Sequence, residues 1–165
     1  MIVEHRLALK QQRTDIVRKP LAATLVGLAV AGYAWPQDTS VEAAKQVFAQ
    51  YVALEQAYDA GLAELYASEA LIKNRRKNPM GDPSEVTIPL SKYKTLLPQQ
   101  LATSQARGER STYANVIYTP EGALVRIEAL RVSALTKHGA PIRLVVGRAP
   151  SGKWLIYEEV SESRQ

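Results

Sequence analysis

Seven residues near the C-terminus, Gly147-Arg148-Ala149-Pro150-Ser151-Gly152-Lys153, match the first seven positions of a phosphate-binding loop. Such a loop ends on a Ser or Thr that ligates magnesium, and it opens a helix whose first amides hold the phosphate. Here the eighth position is Trp154, Pro150 removes one of the needed amides, and Trp154 to Val160 reads as a strand. The segment is expected to be a hairpin turn.

Other chemistry-bearing residues are sparse. The chain has no cysteine, which removes disulfides, thiolate metal sites and cysteine nucleophiles together. Past the N-terminal region the one histidine is His138, in a turn pattern, where it is poorly placed to be a zinc ligand or the base of a Ser-His pair. No catalytic constellation, metal site or cofactor motif emerges. Lys73-Asn74-Arg75-Arg76-Lys77 is a dense basic run, suited either to anionic headgroups or to a solvated strand end. It has no stacking aromatic beside it, as single-stranded nucleic acid would require. Nucleic acid is not expected as a partner.

Glu158 and Glu159 are adjacent on a strand, so alternation sends them to opposite faces. With Trp154 and Ile156 facing the core, Glu158 follows them inward, while Leu155, Tyr157 and Glu159 face out. On the preceding long strand Val125, Ile127 and Ala129 make the apolar face, and Arg131 extends it. Arg131 and Glu158 are then expected at the mouth of a pocket, beside Tyr51, Tyr58 or Tyr66 from the helices, with Trp154 further in. An Arg, a Glu and several phenols suit the polar end of a hydrophobic ligand; they equally suit a structural ion pair with tyrosines packing a core. A one-residue slip in register would reverse every face.

The elements that must position these groups are legible as patterns. Trp35-Pro36-Gln37-Asp38 reads as a linker, and Thr39-Ser40-Val41-Glu42 fits a capping box. The helix that follows carries Val47, Tyr51, Leu54 and Tyr58 on one face. Asp59 can cap a short second helix with Leu62, Leu65 and Tyr66 inward. Ala70 to Lys77 reads as a strand, and Asn78 to Pro83 as a loop. Leu90 to Arg107 is helical, with Pro98 expected to break it in two. Strands follow at Thr112–Thr119, Ala123–Ala134, Ile142–Arg148 and Trp154–Val160, separated by connections short enough to require antiparallel neighbours. Helices first and a four-stranded meander after them define the α+β class.

The N-terminal region has a different character. Residues 1–20 form a basic tail, and Leu21 to Trp35 is a 15-residue run without a charge. A spanning helix needs about 20 apolar residues, whereas a signal-peptide core is shorter. Small residues lie at candidate cleavage positions, Ala29-Val30-Ala31 and Gly32-Tyr33-Ala34. Arg18-Lys19 precede the run and Asp38 and Glu42 follow it, which keeps the N-terminus cytoplasmic. A start at Val17 would leave a compact signal peptide. A cleaved signal, an uncleaved membrane anchor and a buried core helix all fit; the first two place residues 36–165 in the periplasm. Of the net charge of +5, the first 34 residues hold +3 through Arg6, Lys10, Arg13, Arg18 and Lys19 against Glu4 and Asp15, so the domain itself is only weakly basic.

The order long helix, short helix, strand, helical region and antiparallel strands resembles the nuclear transport factor 2-like (SnoaL-like, cystatin-like) fold. Two stretches carry the likeness: FAQYVALEQAYDAGLAELYASEALI, and the late SGKWLIYEEV with its Gly-x-Trp-x-Ile pattern. The resemblance covers residues 40 to 160. It implies a cone in which a curved antiparallel sheet wraps around N-terminal helices, and a homodimer formed through the sheets. Isomerases of that superfamily use an acidic base with tyrosine or acid donors to an oxyanion. A tethered version is similar to the inner-membrane assembly components of bacterial type IV secretion systems, a likeness to which Asn78-Pro79-Met80-Gly81 contributes. The expected function is therefore a non-catalytic binding or assembly module outside the cytoplasm, for a hydrophobic small molecule or a partner protein. The alternative is a small cofactor-free isomerase, hydratase or cyclase.

Overall fold

The computed structural model describes residues 37–77 and 84–164. The run Leu21 to Trp35, expected as a signal or anchor, and residues 78–83, expected as a loop, lie outside them. Helix α1, Gln37–Gln56, buries Ala44, Val47, Phe48 and Tyr51, a spacing of three, four and seven that puts all four on one stripe. It begins before the expected cap: Thr39 already has helical backbone, so the residue does not hold the non-helical position a capping box requires. Asp59 does cap the next element, accepting from the Gly61 amide at 2.7 Å, and this element is a single 3₁₀ segment, Ala60–Leu65, that buries Leu62.

Strand β1 spans Tyr66–Lys77, so Tyr66 opens a strand instead of closing a helix. Strand β2, Ser84–Pro89, was not apparent from the sequence; Val86 and Ile88 face inward on it, opposite Asn74 and Ile72. Helix α2 runs unbroken over Leu90–Ala106 with Pro98 inside it. Pro98 and Lys94, whose carbonyl loses its donor to the proline ring, are both on the exposed side, where solvent reaches that carbonyl. Leu90, Leu97 and Leu101 anchor the buried side and hold the helix together across the proline.

Strands β3 (Ser111–Glu121), β4 (Leu124–Ser133), β5 (Gly139–Arg148) and β6 (Trp154–Arg164) form the expected antiparallel meander. Gly122 and Gly152 supply positive φ at two of its turns. The candidate phosphate loop is one of these turns: the Ala149 amide donates to the Lys153 carbonyl and the Gly152 amide to the Ala149 carbonyl, both at 2.8 Å. The full order is β2-β1-β6-β5-β4-β3, and β1 pairs with β6 in parallel. The sheet is thus mixed and six-stranded where an all-antiparallel one was expected.

Helix α1 crosses β3 to β6, and α2 covers β1, β2 and the 3₁₀ segment, so both helices fill one concave face of an α+β cone. Between α1 and the sheet, Val125, Ile127, Leu144, Val146 and Ile156 are each at most 1% exposed. Close packing leaves little room to collapse around a deletion there. Ile127→Ala is expected to cost about 2–5 kcal/mol, read as a shift in the urea midpoint, whereas Ile117→Ala on the exposed edge should stay within about 0.5 kcal/mol.

Candidate functional site

The alternation of β6 is interrupted once. Val145 of β5 opposes Glu158 while Val146 opposes Ile156, so Tyr157 is an extra residue with no partner on β5. A bulge of this kind turns the strand by one residue. Ile156 and Glu159, three apart, consequently both face the helices, and Glu158 faces away.

This overturns the sequence expectation for the two carboxylates. Glu158 lies on the solvent face of the sheet, paired with Arg143 of β5 and, at 3.5 Å, with Lys73 of β1. Glu159 is 5% exposed and lines a cavity of about 370 Å³ between α1, α2 and the inner sheet face. The basic run is divided by the same pleat. Lys73 and Arg75 turn outward, Arg75 pairing with Glu85 at 2.8 Å, while Asn74 and Arg76 line the cavity.

Two neighbouring carboxylates and one guanidinium set the electrostatics inside. The Tyr66 hydroxyl donates to Oε2 of Glu159. Burial pushes the Glu159 carboxyl above its ordinary range; hydrogen bonding from Tyr66 and the Arg131 charge oppose that rise, Glu55 adds to it, and Tyr51 opposes it as well. Glu55 of α1 accepts from the Tyr113 hydroxyl at 2.7 Å and from Oγ of Ser111 at 3.0 Å. Burial, with the negative charge of Glu159, holds the phenols of Tyr51 and Tyr66 well above their usual titration. Tyr93 and Tyr113 are raised chiefly by burial too, so the phenols around the cavity remain hydrogen-bond donors at neutral pH. Burial works against the charge of Arg131, but Tyr51, Tyr113, Glu159 and Glu55 outweigh it, and the guanidinium is held positive.

Packing fixes these rings. Tyr113 meets Phe48 edge-on at 5.4 Å and Tyr51 at 6.2 Å, and Tyr66 tilts against Tyr93 at 5.4 Å. Of the residues singled out from the sequence, Tyr51 and Arg131 line the cavity, and Tyr66 reaches it through Glu159. Tyr58 does not. It takes a left-handed backbone at the end of α1, its hydroxyl donates to the Glu109 carbonyl at 2.9 Å, and the Arg110 guanidinium lies over its ring. Trp154, half-buried against the core, pairs with Arg148 at the hairpin end of β6, whereas Glu159 and Ser161 lie toward the other end. Its place at the turn keeps it from the cavity.

Glu55, Tyr93 and Ser161 were missed as site residues, and Arg76 was noted only within the basic run. A signal existed for Glu55, four residues after Tyr51 and so on the same helical stripe. Among the described residues no three His, Cys, Asp or Glu side chains gather as a metal site, and no helix is long and apolar enough to cross a membrane.

Neither a protein-family model nor a curated protein sequence matches the chain. Solved structures do. A nuclear transport factor 2-like protein with a cystatin-like fold from Novosphingobium aromaticivorans superposes with a TM-score of 0.57 at 17% identity, over 75% of this chain and 81% of that one. A nuclear transport factor 2-like protein of unknown function from Pseudomonas putida gives 0.59 at 11% identity, over 76% and 87%. A protein from Kribbella flavida gives 0.57 at 15%, over 77% and 92%. At such identities the likeness establishes the cone fold alone.

Glu159 also leaves a signature in stability. The folded protein holds its proton more tightly than the unfolded chain, so the carboxyl must ionise at a cost to the fold. Its contribution is flat below the ordinary value of 4.5 and declines as pH rises from there through the raised folded value. Melting temperatures measured across that window should fall for the wild type by more than for Glu159→Gln, whose amide carries no proton to lose. Identical slopes would mean that Glu159 ionises as freely folded as unfolded.

Proposed function

We propose that residues 36–165 are a binding domain outside the cytoplasm that holds a small, mainly apolar molecule with one polar end in the cone cavity. The observation that carries this reading is Glu159, a carboxyl buried on the inner sheet face yet lining open space, with Tyr66 hydrogen-bonded to it and Arg131 across the cavity. A buried polar cluster serving the fold alone closes on itself, whereas this one borders a void that falls in the size range of small-molecule sites. Leu62, Ile72, Ile88 and Leu97 supply the apolar wall. The location rests on the charge-free run Leu21 to Trp35 behind its basic flank. Nucleic acid is disfavoured, because two of the basic residues on β1 are engaged with Glu158 and Glu85.

Ser104→Trp, which places an indole on the cavity wall, should abolish binding of small apolar alcohols and acids in calorimetry while leaving the circular dichroism spectrum unchanged. Equal affinity in the variant would remove the cavity as the site. Fractionation of the native protein should recover it from the periplasm or the inner membrane; recovery of the intact chain from cytosol would refute the proposed location.

One observation favours a second reading, acid–base catalysis. A carboxyl displaced toward neutral pH beside tyrosine hydroxyls can take a proton from carbon while a phenol stabilises the resulting enolate. Deuterium wash-out from the α-carbon of a small cyclic ketone, followed by NMR, should then depend on the protein and drop at least about 100-fold in Glu159→Gln. Exchange at the buffer rate in both proteins would leave binding alone.

A further inference from the structure

Arg131 has no hydrogen-bond or ion-pair partner among the described residues, although it is largely enclosed by the cavity. Its nearest anions are committed elsewhere. Glu55 accepts from Tyr113 and Ser111, and Glu159 accepts from Tyr66. A guanidinium carries five donors in a planar fork, and this one faces the cavity, where an acceptor on a bound molecule can meet it. Arg76 lines the same cavity from the end of β1, exposed at the rim, and likewise pairs with no described residue. One unmatched cation is therefore inside and a second stands at the entrance.

We infer that the bound molecule is an organic monoanion, with a carboxylate seated on the Arg131 fork, its apolar remainder against Leu97 and Ile88, and Arg76 drawing it in. The inference rests on the binding reading above and specifies its ligand class. A carboxylate offers two coplanar acceptors at the spacing of the guanidinium fork, which a carbonyl or alcohol does not. The neighbouring Glu55 and Glu159 make the interior unfavourable for a dianion, so a phosphate monoester is the poorer match. The rings of Tyr51 and Tyr93 complete the wall.

The test uses the full-length protein with saturated monocarboxylates of graded chain length and the matching primary amides, by calorimetry at constant ionic strength. The best carboxylate should bind at least about tenfold more tightly than its amide. Arg131→Gln should remove that preference, with an unchanged circular dichroism spectrum and melting temperature reporting that the fold still forms. Arg131→Lys should restore part of it. Arg76→Gln, at an exposed position where folding is not at stake, should weaken carboxylate binding less and reduce its salt dependence. Amides binding as well as carboxylates would overturn the anion and leave the cavity reading intact. A carboxylate preference that survives Arg131→Gln would overturn the role of Arg131. Binding by neither series would overturn both.

Discussion

A carboxyl group placed on the inner face of a sheet must be given hydrogen bonds, and the concave side of this cone is arranged around meeting that demand for Glu159. The bulge at Tyr157 turns Glu159 inward, Tyr66 reaches it from the first residue of β1, and Tyr66 in turn rests on Tyr93 of α2. The 3₁₀ segment capped by Asp59 sets where β1 begins and so where Tyr66 stands. An apolar residue at position 159 would leave the Tyr66 hydroxyl without its acceptor and relieve the other elements of that obligation.

The two faces of the sheet handle charge differently. Outside, cations and anions alternate across neighbouring strands: Lys73 and Arg143 with Glu158, Arg75 with Glu85, Arg126 with Glu121. Pairs this exposed contribute little to stability individually. Inside, the groups are fewer and sheltered, so each interaction there counts for more, and an unmatched Arg131 is correspondingly more informative than an unmatched surface lysine.

Much of the architecture was legible because it is periodic. The α1 stripe at Ala44, Val47, Phe48 and Tyr51 follows the helical repeat, and the C-terminal meander is punctuated by glycines whose positive φ its turns require. Arg131 was placed correctly on the inner face for the same reason: β4 is regular from Val125 onward, so alternation carried to its end. What escaped was non-periodic or non-local. No local feature marks the bulge at Tyr157, and one unpartnered residue exchanges Glu158 for Glu159. Parallel pairing of β1 with β6 joins residues nearly ninety positions apart and has no short-range signature. Strand β2 is six residues long and exists because β1 offers it an edge. Pro98 misled through a valid rule, since the lost helical bond falls where solvent can replace it.

The position of β6 has a consequence for how the molecule is made. It is last in the chain yet third of six across the sheet, with β1 on one side and β5 on the other. Without β6, β2-β1 and β5-β4-β3 are separate ribbons with no shared backbone bonds, and each presents a raw edge. Joining the two ribbons is therefore a non-local step, slowed because its partners lie nearly ninety residues apart. A substitution that loosens β6 would therefore release both halves of the sheet at once.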